Sequence, residues 1–139
     1  MLPVSQKLPA RIKGILEKYL DLVLSNFEKD IKVLVLFGSW ARGDARPDSD
    51  IDILCISSKE KLKEIFHKTS EFNYNLMIKN VDNRINLHFV PLEILDFNKD
   101  NEYVLLFYAT KEGFAIYGHA FWKKVKEWVL KTSYLVGYT

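Results

Sequence analysis

Two short apolar runs, "IKVLVLF" at 31–37 and "DIDILCI" at 50–56, are joined by a connection too short for most topologies: eleven residues separate Gly38 from Asp50. Each run is rich in β-branched residues, long enough for a strand buried on both faces and short for a helix. A parallel crossover needs a dozen or more residues, usually with a full helix among them. The two strands are therefore expected as antiparallel neighbours. That pairing lays the end of the first beside the start of the second, and brings Gly38 and Ser39 close to Asp50 and Asp52.

The rest of the chain alternates in kind. Ile12, Ile15, Leu16, Tyr19, Leu20, Val23, Leu24 and Phe27 recur at helical steps and predict an amphipathic helix from about Pro9 to Phe27. A second helical stripe covers residues 59–79. "RINLHFV", Arg84 to Val90, predicts a third strand that Pro91 stops, and Pro91 suits the first position of a short helix over "PLEIL". "NEYVLLFYATKEG" and "HAFWKKVKEWVL" read as helices joined by "FAIYG", a short extended link. This order predicts an α/β (α+β) fold, with a small mixed sheet of three or more strands flanked by helices. One domain is expected over 1–139, with a core at about 9–97 and a C-terminal helical extension at about 98–139. The apolar set from Tyr103 to Ala109, with Trp122, Val125, Trp128 and Val129, has two readings: helices packed into the core, or a contact surface for a partner or a second copy.

Bulk properties exclude more than they assign. Twenty Lys and Arg residues against 18 Asp and Glu leave a net charge of +2, too small to mark a duplex nucleic-acid binder. One cysteine, Cys55, excludes an intramolecular disulfide and a multi-cysteine zinc site; it reads as a buried apolar residue, and a reducing cytoplasm suits it. The N-terminus has no signal-peptide pattern, and no apolar stretch approaches the ~20 residues of a membrane span. His67 and His119 lack the spacing of zinc ligands.

The connection itself reads "GSWARGDARPDSDID", residues 38–52. Asp50 and Asp52 are two apart on a strand, so both carboxylates reach one small region from one face. Like charges held together call for a compensating cation, and Mg²⁺ (or Mn²⁺) binds through one or two carboxylates plus substrate phosphates. Gly38 lets the backbone approach a phosphate, and Ser39 offers a hydroxyl and an amide where a short helix would begin. No Gly-Lys-Ser/Thr follows, so the P-loop reading fails on its own motif. Arg42 suits either a phosphate contact or a surface ion pair, and Arg46 reads as exposed. Trp40 reads as an anchor for the loop, and Asp44 and Asp48 as turn formers.

"GSWARG" followed by "SDIDIL" closely resembles the signature of the DNA polymerase beta-like nucleotidyltransferase superfamily, with Ser49 strengthening the match. Within it the chain is most similar to the small stand-alone minimal nucleotidyltransferases, relatives of the kanamycin nucleotidyltransferase fold. The likeness runs from the first strand through the third, and "EGFAIYG" resembles a segment common in that branch. The resemblance implies transfer of a nucleoside monophosphate from a nucleoside triphosphate to an acceptor, with pyrophosphate leaving. It implies Gly38, Ser39, Arg42 and Ser49 at the nucleotide and Asp50 and Asp52 at the metal, with ATP the first choice of nucleotide. It also implies a third carboxylate on the third strand, where this chain offers Asn86 and His88. Asn86 supplies a neutral oxygen for the metal, and His88 either a general base or a structural hydrogen bond.

Two functions follow as expectations. The first is a Mg²⁺-dependent nucleotidyltransferase whose acceptor is a hydroxyl of a protein or a small molecule. The second is a degenerate, antitoxin-like nucleotide-binding protein that controls a small helical partner without catalysis, an arrangement the resemblance suggests. A template-directed polymerase is not expected, since no residues remain for a template-binding domain or a basic nucleic-acid channel.

Overall fold

In the computed structural model, which describes residues 8–93 and 100–136, the chain runs α1 (Ala10–Phe27), β1 (Ile31–Phe37), α2 (Ser39–Arg42), β2 (Ile51–Ser57), a 3-10 turn (Lys59–Lys61), α3 (Leu62–Ile78), β3 (Ile85–Pro91), α4 (Asp100–Glu112), β4 (Phe114–Tyr117) and α5 (His119–Val136). The sheet order is β3-β2-β1-β4. β1 and β2 pair antiparallel, with Phe37 opposite Asp52, as the short connection requires. β3 lies parallel to β2 with Asn86 opposite Asp52, and the 3-10 turn and α3 make the crossover.

β1 is buried on both faces, and its alternation sorts the core into two layers. Leu34 and Leu36 join Ile53, Cys55 and Leu87 beneath α1, whose Ile12, Leu16, Tyr19 and Val23 are fully buried, and beneath Ile65 of α3. Val33, Val35 and Phe37 point the other way, onto Leu106 and Ala109 of α4 and Trp122, Val125 and Val129 of α5. The C-terminal apolar set is thus largely core, with Trp128 partly buried against it. Without α4 and α5 the second sheet face would stand open to water.

Two readings of the sequence change. "FAIYG" is a fourth strand, because the free edge of β1 needs partners for its backbone groups and β4 supplies them, pairing Val35 with Ala115 and Leu36 with Phe114. The range 98–139, expected as a helical extension, therefore contributes to the sheet as well as to its cover. Of the expected "PLEIL" helix, Ile94 and Leu95 lie outside the described residues. Asn80 ends α3 in the left-handed conformation at φ 60°, while Val81 N–H donates to Leu76 O and Asn80 N–H to Met77 O. This is the Schellman closure, in which an asparagine can replace glycine.

Asn73 of α3 reaches the outer edge of β3, accepting from Ile85 N–H at 2.8 Å and donating to Ile85 O at 3.0 Å. An edge strand is thereby closed where it enters the site. Cys55 is fully buried, and burial pushes its thiol up to about 12, so at neutral pH it is a protonated core residue. Among the described residues no helix is long and apolar enough to cross a membrane.

Candidate active site

Gly38 turns the chain out of β1 with φ 78° and ψ −157°, a region essentially confined to glycine. Ala41 and Arg42 N–H groups both donate to the Gly38 carbonyl, which starts α2, and Gly43 closes that single turn in the left-handed conformation. Ser39 is therefore the first residue of a short helix, as the sequence suggested. A Cβ on Gly38 would lie 2.2 Å from Asp52 Oδ2, so the glycine is required by its neighbour as well as by its backbone.

Asp52 is the hub of the site. Its Oδ1 accepts from Asn86 Nδ2 at 2.9 Å and lies 3.2 Å from His88 Nε2, while its Oδ2 faces Gly38. Parallel pairing of β2 with β3 creates this: Asn86 stands opposite Asp52, and His88 follows two residues later on the same face. The His88 ring packs edge-on against Phe37 with centroids 4.9 Å apart, which limits its freedom to leave Asp52. Its Nε2 is thus directed at a carboxylate, the geometry of a group that holds Asp52 in place.

Asp50 occupies the exposed residue just before β2 and has no side-chain partner among the described residues. No lysine or arginine pairs with Asp50 or Asp52 there either. Two hard oxygen donors without a fixed counter-charge suit one divalent cation that keeps water and phosphate oxygens as its other ligands. No cluster of three His, Cys, Asp or Glu side chains able to hold a metal occurs among the described residues.

The remaining loop residues are tied to one another. Trp40 Nε1 donates to the Ser49 carbonyl at 3.0 Å, the anchoring expected of it. Ser49 Oγ accepts from Arg46 N–H at 2.8 Å and so serves the turn. Arg42 Nη1 donates to Glu112 at 2.6 Å and Arg42 Nε to Asp44 at 3.2 Å, with more than a third of the side chain exposed. Those two carboxylates favour its charged form, and of its two readings the ion pair is the one formed. Glu112 and Asn83 were not found from sequence: a glutamate ending a helix and an asparagine in a turn carry no periodic signal, and only folding places them here.

"EGFAIYG" now has a physical account. Glu112 meets Arg42, Gly113 comes against Leu36 O and Ala109 O, residues 114–117 are β4, and Gly118 fits against Lys32 O.

Residues 16–111 match the model of the nucleotidyltransferase domain. The chain belongs to that family. A relative from Methanocaldococcus jannaschii, whose name proposes protein adenylyltransferase activity, is 42% identical over 41 residues, covering 30% of this chain and 41% of that protein. Solved structures share the family fold. A crystal structure of the toxin-antitoxin with AMP-PNP aligns at TM-score 0.54 and 18% identity, over 91% of this chain and 87% of that one. A double-mutant structure of the toxin-antitoxin MntA-HpeT aligns at TM-score 0.59 and 15% identity, over 86% and 87%. At such identities the likeness establishes the fold alone.

Proposed function

We propose that this member of the family is a Mg²⁺- or Mn²⁺-dependent nucleotidyltransferase that moves a nucleoside monophosphate, ATP being the preferred donor, onto a hydroxyl of a protein or small molecule. The observation that carries the reading is Asp52, held by Asn86 and His88 and set against the turn that begins α2. In this reading Gly38 and Ser39 take the terminal phosphates, and Asp50 and Asp52 hold the cation with Asn86 beside them. The acceptor oxygen bonds to the α-phosphorus, the bond from that phosphorus to the α–β bridging oxygen breaks, pyrophosphate departs with the bond's electron pair, and the hydroxyl proton passes to water. The bound cation would supply charge neutralisation along the phosphates and make the acceptor hydroxyl more acidic. His88 keeps the Asp52 carboxylate in orientation. Arg42 reaches phosphate by exchanging its carboxylate partners for phosphate oxygens.

Transfer of nucleotide to a protein is favoured by the name of the archaeal relative, and a protein partner, here proposed to be small and helical, by the toxin-antitoxin neighbours. Phe66, Tyr74, Met77 and Ile78 on exposed positions of α3 offer apolar area for such a partner, or for a second copy of the chain. A reducing cytoplasm is the proposed setting.

The test is to add each α-labelled nucleoside triphosphate with Mg²⁺ to lysate of the source cells, using wild type and the Asp50→Asn, Asp52→Asn double variant. Label deposited by wild type alone establishes transfer, and the labelled species identifies the acceptor. A wild type that binds metal-nucleotide yet transfers no label supports the second reading, partner control without catalysis, which the neutral Asn86 favours.

Asn86→Asp separates the two further. It restores a carboxylate beside Asp52, so turnover rises several-fold and Mg²⁺ raises the melting temperature by more than it does in wild type. Without metal the variant melts lower, because two carboxylates then face each other across a former hydrogen bond. Unchanged turnover together with unchanged metal stabilisation would count against the missing-carboxylate account.

A further inference from the structure

The Asp50 side chain has no partner among the described residues, yet the backbone on both sides of it is held. The Ser49 carbonyl accepts from Trp40 Nε1 at 3.0 Å and from Asn83 Nδ2 at 2.8 Å. One residue beyond Asp50, Ile51 N–H donates to the Arg84 carbonyl at 2.7 Å. Two neighbours in sequence, Asn83 and Arg84, thus grip the chain immediately before and after this aspartate. Asn83 Nδ2 donates also to the Pro47 carbonyl at 3.0 Å, and Arg11 Nη2 donates to the same carbonyl at 2.8 Å. Arg11 Nη1 completes the ring by donating to Asn83 Oδ1.

The chemistry suits only an amide. Asn83 is fully buried, with both Nδ2 protons spent on loop carbonyls and Oδ1 receiving an arginine. An aspartate of equal shape would turn a carboxylate oxygen toward two carbonyl oxygens, while a leucine would take one of two donors from each carbonyl and leave Arg11 Nη1 without its acceptor. Buried polar networks satisfied in this way hold one geometry. The loop needs such a device, since residues 44–50 belong to no helix or strand and their side chains are mostly exposed. A carboxylate on an unheld loop would lose conformational freedom each time it met a cation; one on a clamped peptide has already lost it.

We propose that Asn83, locked by Arg11, is a positioning residue for Asp50: it sets the Ser49–Asp50 peptide so that the carboxylate is preorganised for the divalent cation that accompanies the nucleotide. This inference rests on the transferase reading of the site.

The experiment is Mn²⁺ titration followed by electron paramagnetic resonance, in the presence of a non-hydrolysable ATP analogue, with melting curves to establish that each variant is folded. Asn83→Asp keeps the acceptor for Arg11 and removes both donors to the loop, and its Mn²⁺ dissociation constant is expected to rise at least about tenfold, the size of effects from residues that orient metal ligands. Trp40→Phe removes one donor to the same Ser49 carbonyl and keeps the ring, so it weakens Mn²⁺ by about two- to fivefold and carries the test even where Asn83→Asp does not fold. In an Asp50→Asn background either substitution is expected to add almost nothing, because the group being positioned has gone. A merely structural role would instead show the same weakening whatever stands at residue 50. Wild-type affinity in the folded variants, or full weakening that persists with Asp50→Asn, overturns the clamp alone. A wild type that binds no Mn²⁺ with nucleotide overturns the transferase reading and the clamp together.

Discussion

Asp52→Asn is expected to lower label transfer by at least about a hundredfold, and by more than Asp50→Asn does. The difference comes from place. Asp52 lies on β2 between Phe37 and Asn86, with one oxygen held by Asn86 and His88 and the other at Gly38, whereas Asp50 is an exposed residue before the strand. Asparagine preserves the shape and one acceptor oxygen while removing the charge, so folding in metal-free buffer should change by no more than about 1 kcal/mol. Stabilisation by Mg²⁺ with nucleotide should largely vanish. The measurement pairs initial rates of label transfer with melting curves taken with and without metal-nucleotide. Retained transfer in Asp52→Asn, beside its loss in Asp50→Asn, would sink the assignment of Asp52 as the centre of the site.

Gly38→Ala is expected to cost both stability and activity. At φ 78° and ψ −157° a side chain is strained wherever it points, by roughly 1–3 kcal/mol. The new Cβ also falls 2.2 Å from Asp52 Oδ2, so either the backbone of the turn shifts or Asp52 swings off Asn86 and His88. Together these effects come to about 2–4 kcal/mol, or a fall of roughly 10 °C in melting temperature. Transfer is expected to fall at least about a hundredfold in the folded protein, since either adjustment moves a group placed in the proposed chemistry. Gly118→Ala is the control. Its Cβ would meet the Lys32 backbone oxygen at 2.0 Å with φ 80°, a clash with main chain that cannot rotate away, but at the far end of β1. Gly118→Ala should therefore destabilise at least as much while leaving Mn²⁺-nucleotide affinity of the folded fraction near wild type. If both glycine variants lose metal affinity equally, the special relation between Gly38 and Asp52 is wrong.

Much of this site was legible because its parts are close in sequence. With eleven residues between Gly38 and Asp50 and no full helix among them, the two buried strands were expected to pair antiparallel, so the approach of Gly38 to Asp52 followed from chain length and hydrogen-bond geometry. Asn86 and His88, two apart on one strand, share a face by the period of two, and both meet Asp52. The anchoring of Trp40 and the burial of Cys55 were likewise legible from residue type and context.

Other parts had no such signature. "FAIYG" is too short for its pattern to distinguish a strand from a link, and it became β4 because β1 had an edge to fill. His88 could be read as a base or as a hydrogen-bonding residue, and the packing of Phe37 with the parallel register turned it onto Asp52. Arg11 meets Asn83 across 72 positions, and Arg42 meets Glu112 across 70. The two-strand core, the turn that carries Gly38 and the pair of aspartates beside it could all be read from the order of residues, because covalent connectivity leaves short segments few alternatives. Which polar side chains clamp that turn became visible only in the folded chain, because a polar side chain has many chemically equal partners along the sequence and packing alone selects the one within reach.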